Sequence, residues 1–272
     1  MMSQLAEKIK ESGYAEAWPP VKQLSFILEK FAEWFPFENV DVLTGNEEKI
    51  TPEFLTGKMV QTQRGGLCYE TNALLLLVLQ ELGLEAELGA ATVNNDGKWA
   101  LEHTHALVLL QLNDGKYIAD SGFGNRLALS PLKLDGPEVI SPAGTFRLRT
   151  RRTEKGTIAA ECQNSQGDWD LCYAFDWQAV PWEKLSEMKQ LIHAHPHSPF
   201  NKQLLIARAS TSGTESINEA RQHRKWQNGT EETFSFEDKH DFLQAIRDSC
   251  SPALTKAIEA YKARQSSDQD KS

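Results

Sequence analysis

Apolar positions in the first third of the chain recur at helical spacing. Val21, Leu24, Ile27, Leu28, Phe31 and Trp34 follow an i, i+3, i+4, i+7 stripe, which predicts an amphipathic helix over 21–34. Pro36 ends it, because the residue before a proline is driven out of the helical region. Thr51-Pro52-Glu53 predicts a second helix start, with Thr51 as N-cap and Pro52 in first position. A third helix is expected over 68–82, stopped by Gly83. Its run from Ala73 to Leu79 is the longest apolar stretch of the chain and falls far short of a membrane span.

The pattern then changes. Residues 84–93 read as a strand that ends in the turn cluster Asn94-Asn95-Asp96-Gly97. Residues 105–112 read as a strand, and Asn113-Asp114-Gly115-Lys116 as a hairpin with Asp114-Gly115 in a type I′ turn. Tyr117 to Asp120 is the returning strand. Residues 146–150 alternate, a turn follows around Glu154-Lys155-Gly156, and short strands continue to about Trp177. The last third is mixed: helices over 182–193, 238–247 and 252–264, a strand over 204–209, and a polar tail over 265–272 expected to fray. Helices segregated from strands predict an α+β fold rather than a doubly wound sheet.

Composition narrows the function. The chain has 272 residues, 40% of them hydrophobic, so it can bury a real core. A net charge of −9 and the absence of a basic stripe argue against nucleic acid and anionic membrane as partners. The N-terminal segment Met1–Lys8 has no apolar signal-peptide core. Four cysteines, none in a Cys-x-x-Cys pair, are too few for a disulfide scaffold, which predicts a reducing, cytoplasmic compartment.

The chemistry concentrates in Arg64-Gly65-Gly66-Leu67-Cys68-Tyr69-Glu70. Two glycines admit a tight turn just before a cysteine that opens an apolar helix. That position meets the positive end of the helix dipole, which favours thiolate, and the amides of a helix start can face a developing oxyanion. Cys162, Cys172 and Cys250 lack such a setting and read as inert core thiols. A nucleophilic cysteine needs a base and an acid to orient that base. His105 opens one strand, and Asp120 ends the next, just before Ser121-Gly122-Phe123-Gly124. With Asn113 paired to Lys116, Asp120 falls opposite Leu109, on the face of His105 but roughly 13 Å from it at strand rise. His103 shares that face if the strand extends to it.

These residues resemble the arylamine N-acetyltransferase family. The cysteine segment is similar to the family's active-site signature. Pro36-Phe37-Glu38-Asn39, the His105 strand, Asp120-Ser121-Gly122-Phe123-Gly124 and Ser198-Pro199-Phe200 resemble its other motifs in order, over about residues 20–210. Ser121 departs from the valine or alanine common at that position; it either bonds Asp120 or faces solvent. The resemblance implies a helical bundle (1–83) carrying the cysteine, a β-barrel (84–190) carrying histidine and aspartate, and an α/β lid (191–272), around a cysteine-protease-like core where Cys68, His105 and Asp120 meet. It implies ping-pong transfer of an acetyl group from acetyl-CoA, as co-substrate with no permanently bound cofactor, to a small aromatic amine or hydrazine. It also implies that Phe37 and Phe123 line the acceptor pocket and that Gly124 and Phe200 lie near CoA. It leaves the oligomeric state open.

Two rival readings keep the same residues: hydrolysis or amide transfer from a peptide-type donor, and a non-catalytic fold that binds an acyl compound. The Pro-Phe-Glu-Asn and Asp-Ser-Gly-Phe-Gly segments favour the acetyltransferase. Pro196 and Pro199 deny His193, His195 and His197 a common helix, and no cysteine or aspartate ligand stands nearby, so they read as a solvated loop and not a metal site. Arg147, Arg149, Arg151 and Arg152 read as a solvated strand face.

Overall fold

The computed structural model describes residues 2–269, with side chains over 3–265. The first part contains α1 (Met2–Glu11), α2 (Pro20–Trp34), the two-residue strand β1 (Phe37–Glu38), the single turns α3 (Val40–Leu43) and α4 (Pro52–Leu55), and α5 (Cys68–Glu81). Thr51 caps α4 through its Oγ1, as its position before proline predicts. A π-helical turn, Thr56–Gln61, continues α4. The helix α1 buries Leu5, Ala6 and Ile9; so short a stripe gave no periodic signal.

The central part is a sheet of nine strands: β2 (Ala86–Asn95), β3 (Lys98–Trp99), β4 (His105–Leu112), β5 (Gly115–Ala119), β6 (Leu132–Lys133), β7 (Val139–Ser141), β8 (Gly144–Thr153), β9 (Gly156–Gln163) and β10 (Trp169–Phe175). Its order is β6-β5-β4-β2-β10-β9-β8-β7, with β3 on β2. A parallel bridge between Leu134 and Leu148 brings the ends together, nearly closing an eight-strand barrel.

The strand β4 explains how helix and barrel meet. Ala106, Val108 and Leu110 join the core shared with α1, α2 and α5, while Leu107 and Leu109 fill the barrel interior. Alternation puts one residue in each layer, so a strand buried on both faces reads as a continuous apolar run. By the same alternation His105 belongs to the barrel side.

The last part has α6 (Glu183–Ala194), a 3-10 turn over Pro199–Asn201, β11 (Ile206–Ser210), β12 (Gly213–Ile217), β13 (Arg221–Trp226), β14 (Glu231–Ser235), α7 (Lys239–Ser249) and α8 (Pro252–Gln269). A second sheet runs β1-β11-β12-β13-β14, so Phe37 and Glu38 from the first part form its edge. The strands β12 to β14 were not expected, because this polar, largely half-exposed or exposed stretch shows no apolar alternation. The tail does not fray from Gln265: α8 continues to Gln269, and the expectation for 270–272 lies outside the described residues. No helix among the described residues is long and apolar enough to cross a membrane.

Candidate active site

The glycines before Cys68 act by close approach. Neither Gly65 nor Gly66 has positive φ among the residues that do. A Cβ on Gly65 would lie 1.6 Å from the Pro36 carbonyl oxygen, and one on Gly66 would lie 2.5 Å from Glu70 Oε2. The segment is thereby pinned between the Pro-Phe-Glu-Asn loop and the first turn of α5. Gly66 N–H donates to the Pro36 carbonyl at 3.1 Å, and Glu38 N–H to the Gly66 carbonyl at 3.2 Å.

Buried charge reinforces this junction. Arg64 donates to Glu38 at 2.7 Å and lies 2.7 Å from Asp41; Lys58 lies 2.6 Å from Glu70 and 3.0 Å from Asp41. Burial works against the Lys58 charge, but Glu70, Glu38 and Asp41 outweigh it and hold the ammonium charged. Burial likewise opposes the Asp41 carboxylate, yet Lys58 and Arg64 hold its pKa down to about 2. Glu70 also accepts from the Leu67 N–H at 2.9 Å, so that amide of the helix start is already occupied.

The strand β4 begins at His105, and the His105 Nε2 to Asp120 Oδ2 distance is 2.8 Å. The hairpin register explains the approach. Leu112 pairs with Gly115 and Gln111 with Lys116, so the turn is Asn113-Asp114 and not Asp114-Gly115. Neither turn residue has positive φ; Gly115 takes it instead, at +143°, which excludes the expected type I′ turn. The shift brings Asp120 opposite Leu107, two residues nearer His105 than the expected register. The chain leaves the strand after Ala119, and the carboxylate then turns onto the imidazole.

Cys68 lies near enough to His105 to raise its pKa, and with Nε2 held by Asp120 it is Nδ1 that remains for the sulfur. The Cys68 thiol is buried and lies 3.4 Å from the Thr104 carbonyl oxygen. Burial pushes His105 down, but the Asp120 charge and hydrogen bond, with the contact to Cys68, raise it to about 10. Burial also opposes the Asp120 carboxylate; His105, Asn72 and the Gly122 N–H outweigh it and keep the carboxyl below its usual range. His103 takes no part. It sits at φ +53° before the strand, half-exposed and 3.8 Å from Glu102.

Two residues that hold Asp120 were missed in the sequence. Asn72 lies one turn after Cys68 on α5, the same face, and is fully buried. Its Nδ2 donates to Asp120 Oδ1 at 2.9 Å and to the Ala106 carbonyl at 2.7 Å. Its Oδ1 accepts from the Ser121 N–H at 2.8 Å. Its signal was a polar residue at i+4 from the cysteine, immediately before the apolar run 73–79. Tyr173 donates from its hydroxyl to Asp120 Oδ2 at 3.0 Å, and nothing local in the sequence marked it. Ser121 neither bonds Asp120 nor faces solvent: it is buried and donates to Asn72 Oδ1 at 3.1 Å.

The remaining expected residues fall into two groups. The Phe37 ring meets Phe200 edge-on at 5.7 Å, where Asn39 ties the chain by donating to the Phe200 carbonyl at 2.7 Å. The Phe123 ring meets His105 at 5.3 Å and Tyr173 at 5.2 Å. Gly124 follows at φ +65° with open space where a Cβ would point. No group of His, Cys, Asp and Glu among the described residues could hold a metal ion. His193 bonds Tyr69 at 3.3 Å, whereas His195 and His197 pack ring against ring at 5.5 Å.

Comparison with known proteins places this geometry. The N-acetyltransferase family model matches residues 20–257. An uncharacterized acetyltransferase of Bacillus subtilis, YvcN, is 39% identical over 77% of this chain and 83% of its own length. An arylamine N-acetyltransferase of Mycolicibacterium smegmatis is 33% identical over 70% of each chain. The solved structure of arylamine N-acetyltransferase C from Bacillus anthracis superposes with a TM-score of 0.81 at 29% identity, over 92% of this chain and 98% of that one. A cysteine opening a helix, a histidine opening a strand and an aspartate just past the next strand form a cysteine-protease-like core. The chain belongs to the arylamine N-acetyltransferase family.

Proposed function

We propose that this N-acetyltransferase moves an acetyl group from acetyl-CoA to the nitrogen of an arylamine or hydrazine through an acetyl thioester on Cys68. The observation that carries this reading is the contact of His105 with both Asp120 and Cys68 at the start of α5. An imidazole held protonated beside the sulfur stabilises a thiolate. The thiolate attacks the thioester carbonyl of acetyl-CoA, and the Cys68 N–H at the first helical position meets the oxyanion. The carbon–sulfur bond to CoA breaks, and His105 gives its proton to the departing thiolate. The amine then attacks the acetyl-cysteine, its proton passes to His105, and Cys68 leaves as thiolate. Asp120 fixes the imidazole's orientation and charge throughout.

In this reading Phe37 and Phe123 contact the acceptor, while Gly124 and Phe200 lie near CoA. The chain divides into the bundle 1–83, the barrel 84–190 and the α/β lid 191–272, and it works in the cytoplasm. Initial rates with acetyl-CoA and an aniline varied together test the scheme. A covalent intermediate gives parallel double-reciprocal lines; intersecting lines with both substrates bound before CoA leaves overturn it.

A further inference from the structure

Cys162 and Cys172 were expected to be inert, but the structure gives them a setting that the acetyl-transfer chemistry does not use. Both are buried, at 7% and 2% exposure, and both are free thiols. They lie on the paired strands β9 and β10. Cys162 is opposite Asp170, and a bulge between Leu171 and Tyr173 makes Cys172 the extra residue, diagonal to Cys162 on the same face. Both side chains belong to the same buried cluster inside the barrel. One guanidinium serves both: Arg126 Nη2 is 2.8 Å from Cys162 Sγ and 3.8 Å from Cys172 Sγ. Arg126 in turn lies over the Phe123 ring at 5.6 Å. A cavity of about 20 Å³ opens between Arg126, Cys172, Tyr173, Phe123 and Asp120, room for one molecule the size of water.

An arginine against a thiol stabilises the anion, and a neighbouring thiol that donates to it stabilises it further. The neighbouring Cys172 and the charge of Arg126 lower the Cys162 pKa against its burial, whereas Cys162 and burial raise that of Cys172. Arg126, 2.8 Å from Cys162 Sγ against 3.8 Å from Cys172 Sγ, assigns the attacking thiolate to Cys162 and leaves Cys172 as the protonated partner.

We propose that Cys162 and Cys172 form a second reactive site, a dithiol that a small peroxide converts to a disulfide. The Cys162 thiolate attacks one peroxide oxygen; the O–O bond breaks, and the other oxygen leaves as hydroxide. Cys162 is then a sulfenic acid. The Cys172 sulfur attacks that sulfur, its proton joins the expelled hydroxide as water, and the sulfur–sulfur bond forms. Two thiols are oxidised and one peroxide is reduced.

The test uses the full chain with Cys68→Ala, so that Cys68 does not compete for oxidant. The folded protein is exposed to hydrogen peroxide, unfolded in an alkylating agent and digested. The expected result is a linked Cys162–Cys172 peptide pair lacking two hydrogens, restored by a dithiol reductant. In a further Cys172→Ser variant, dimedone is expected to label Cys162; in Cys162→Ser, Cys172 is expected to stay alkylatable. Full alkylation of both cysteines after peroxide, or a disulfide that uses Cys250 instead, overturns the proposal. So does a Cys172→Ser protein in which Cys162 takes no dimedone.

Discussion

Asp120 Oδ2 lies 2.8 Å from His105 Nε2 and 3.0 Å from the Tyr173 hydroxyl, while its other oxygen takes Asn72 and the Gly122 N–H. Four donors on one part-buried carboxylate fix both its charge and its direction. The position of the imidazole against Cys68 follows from that, because a histidine ring turns freely unless one nitrogen is held.

Replacing Asp120 with Asn keeps the shape and removes the charge. Single-turnover acetylation of Cys68 is expected to slow by about 10³-fold or more, since a comparable change in a serine triad costs about 10⁴. Stopped-flow release of CoA reads the rate. An unchanged rate removes Asp120 from the mechanism.

The ion pair also predicts a pH signature. His105 is raised to about 10, so its stabilising contribution is complete below the unfolded-state value of about 6.5 and is lost as pH climbs toward 10. The Asp120 carboxyl is lowered, so its contribution is present above about 4 and is lost as pH falls further. The stability gap between the wild type and Asp120→Asn should therefore be widest at roughly pH 5–6 and should close toward pH 10. Urea midpoints across that range measure it, and a gap that widens toward pH 10 contradicts the pairing.

Asn72→Ala removes four hydrogen bonds that join α5 to β4 and to the Asp120 loop. Leaving buried partners unsatisfied is expected to cost about 2–4 kcal/mol and to lower turnover as well. Thermal unfolding and kcat measured together check both; a fall in neither contradicts the tether.

Gly122 and Gly124, two residues apart, should separate cleanly in role. A Cβ at Gly122 would lie 2.6 Å from Cys68 Cα, against backbone that has nowhere to go, whereas Gly124 has open space and only a left-handed φ to satisfy. Gly122→Ala is expected to displace the nucleophile and abolish most acetylation. Gly124→Ala is expected to cost about 1 kcal/mol of strain and to leave the nucleophile in place. Equal activity in the two variants contradicts this reading.

Lys58→Met leaves Glu38, Asp41 and Glu70 facing Arg64 with one cation fewer. Breaking a buried ionic cluster from one side costs about 3–5 kcal/mol. A denaturant titration that shows no loss rules out a structural role for the cluster.

Much of this was legible in the residues. The helix over 21–34, the Thr51 cap and the start of α5 at Cys68 follow from local periodicity and capping, which act over a few residues. The His105–Asp120 contact was not readable, because Asp-Gly after Asn allows two turn registers and a shift of one turn position moves Asp120 by two places. Tyr173 lay equally out of reach: it arrives from β10, across β2, through barrel closure that no local signal encodes. The strands after Gly213 were hidden because their residues are polar on both faces.

The central claim is that Cys68 carries the acetyl group. Intact mass after brief exposure to acetyl-CoA without an amine, with the modified peptide then sequenced, tests it most directly. The account predicts one acetyl group on Cys68, discharged on adding an arylamine and absent in Cys68→Ala. An unmodified protein whose Cys68 still alkylates, or an acetyl group on another residue that the amine discharges, would contradict it.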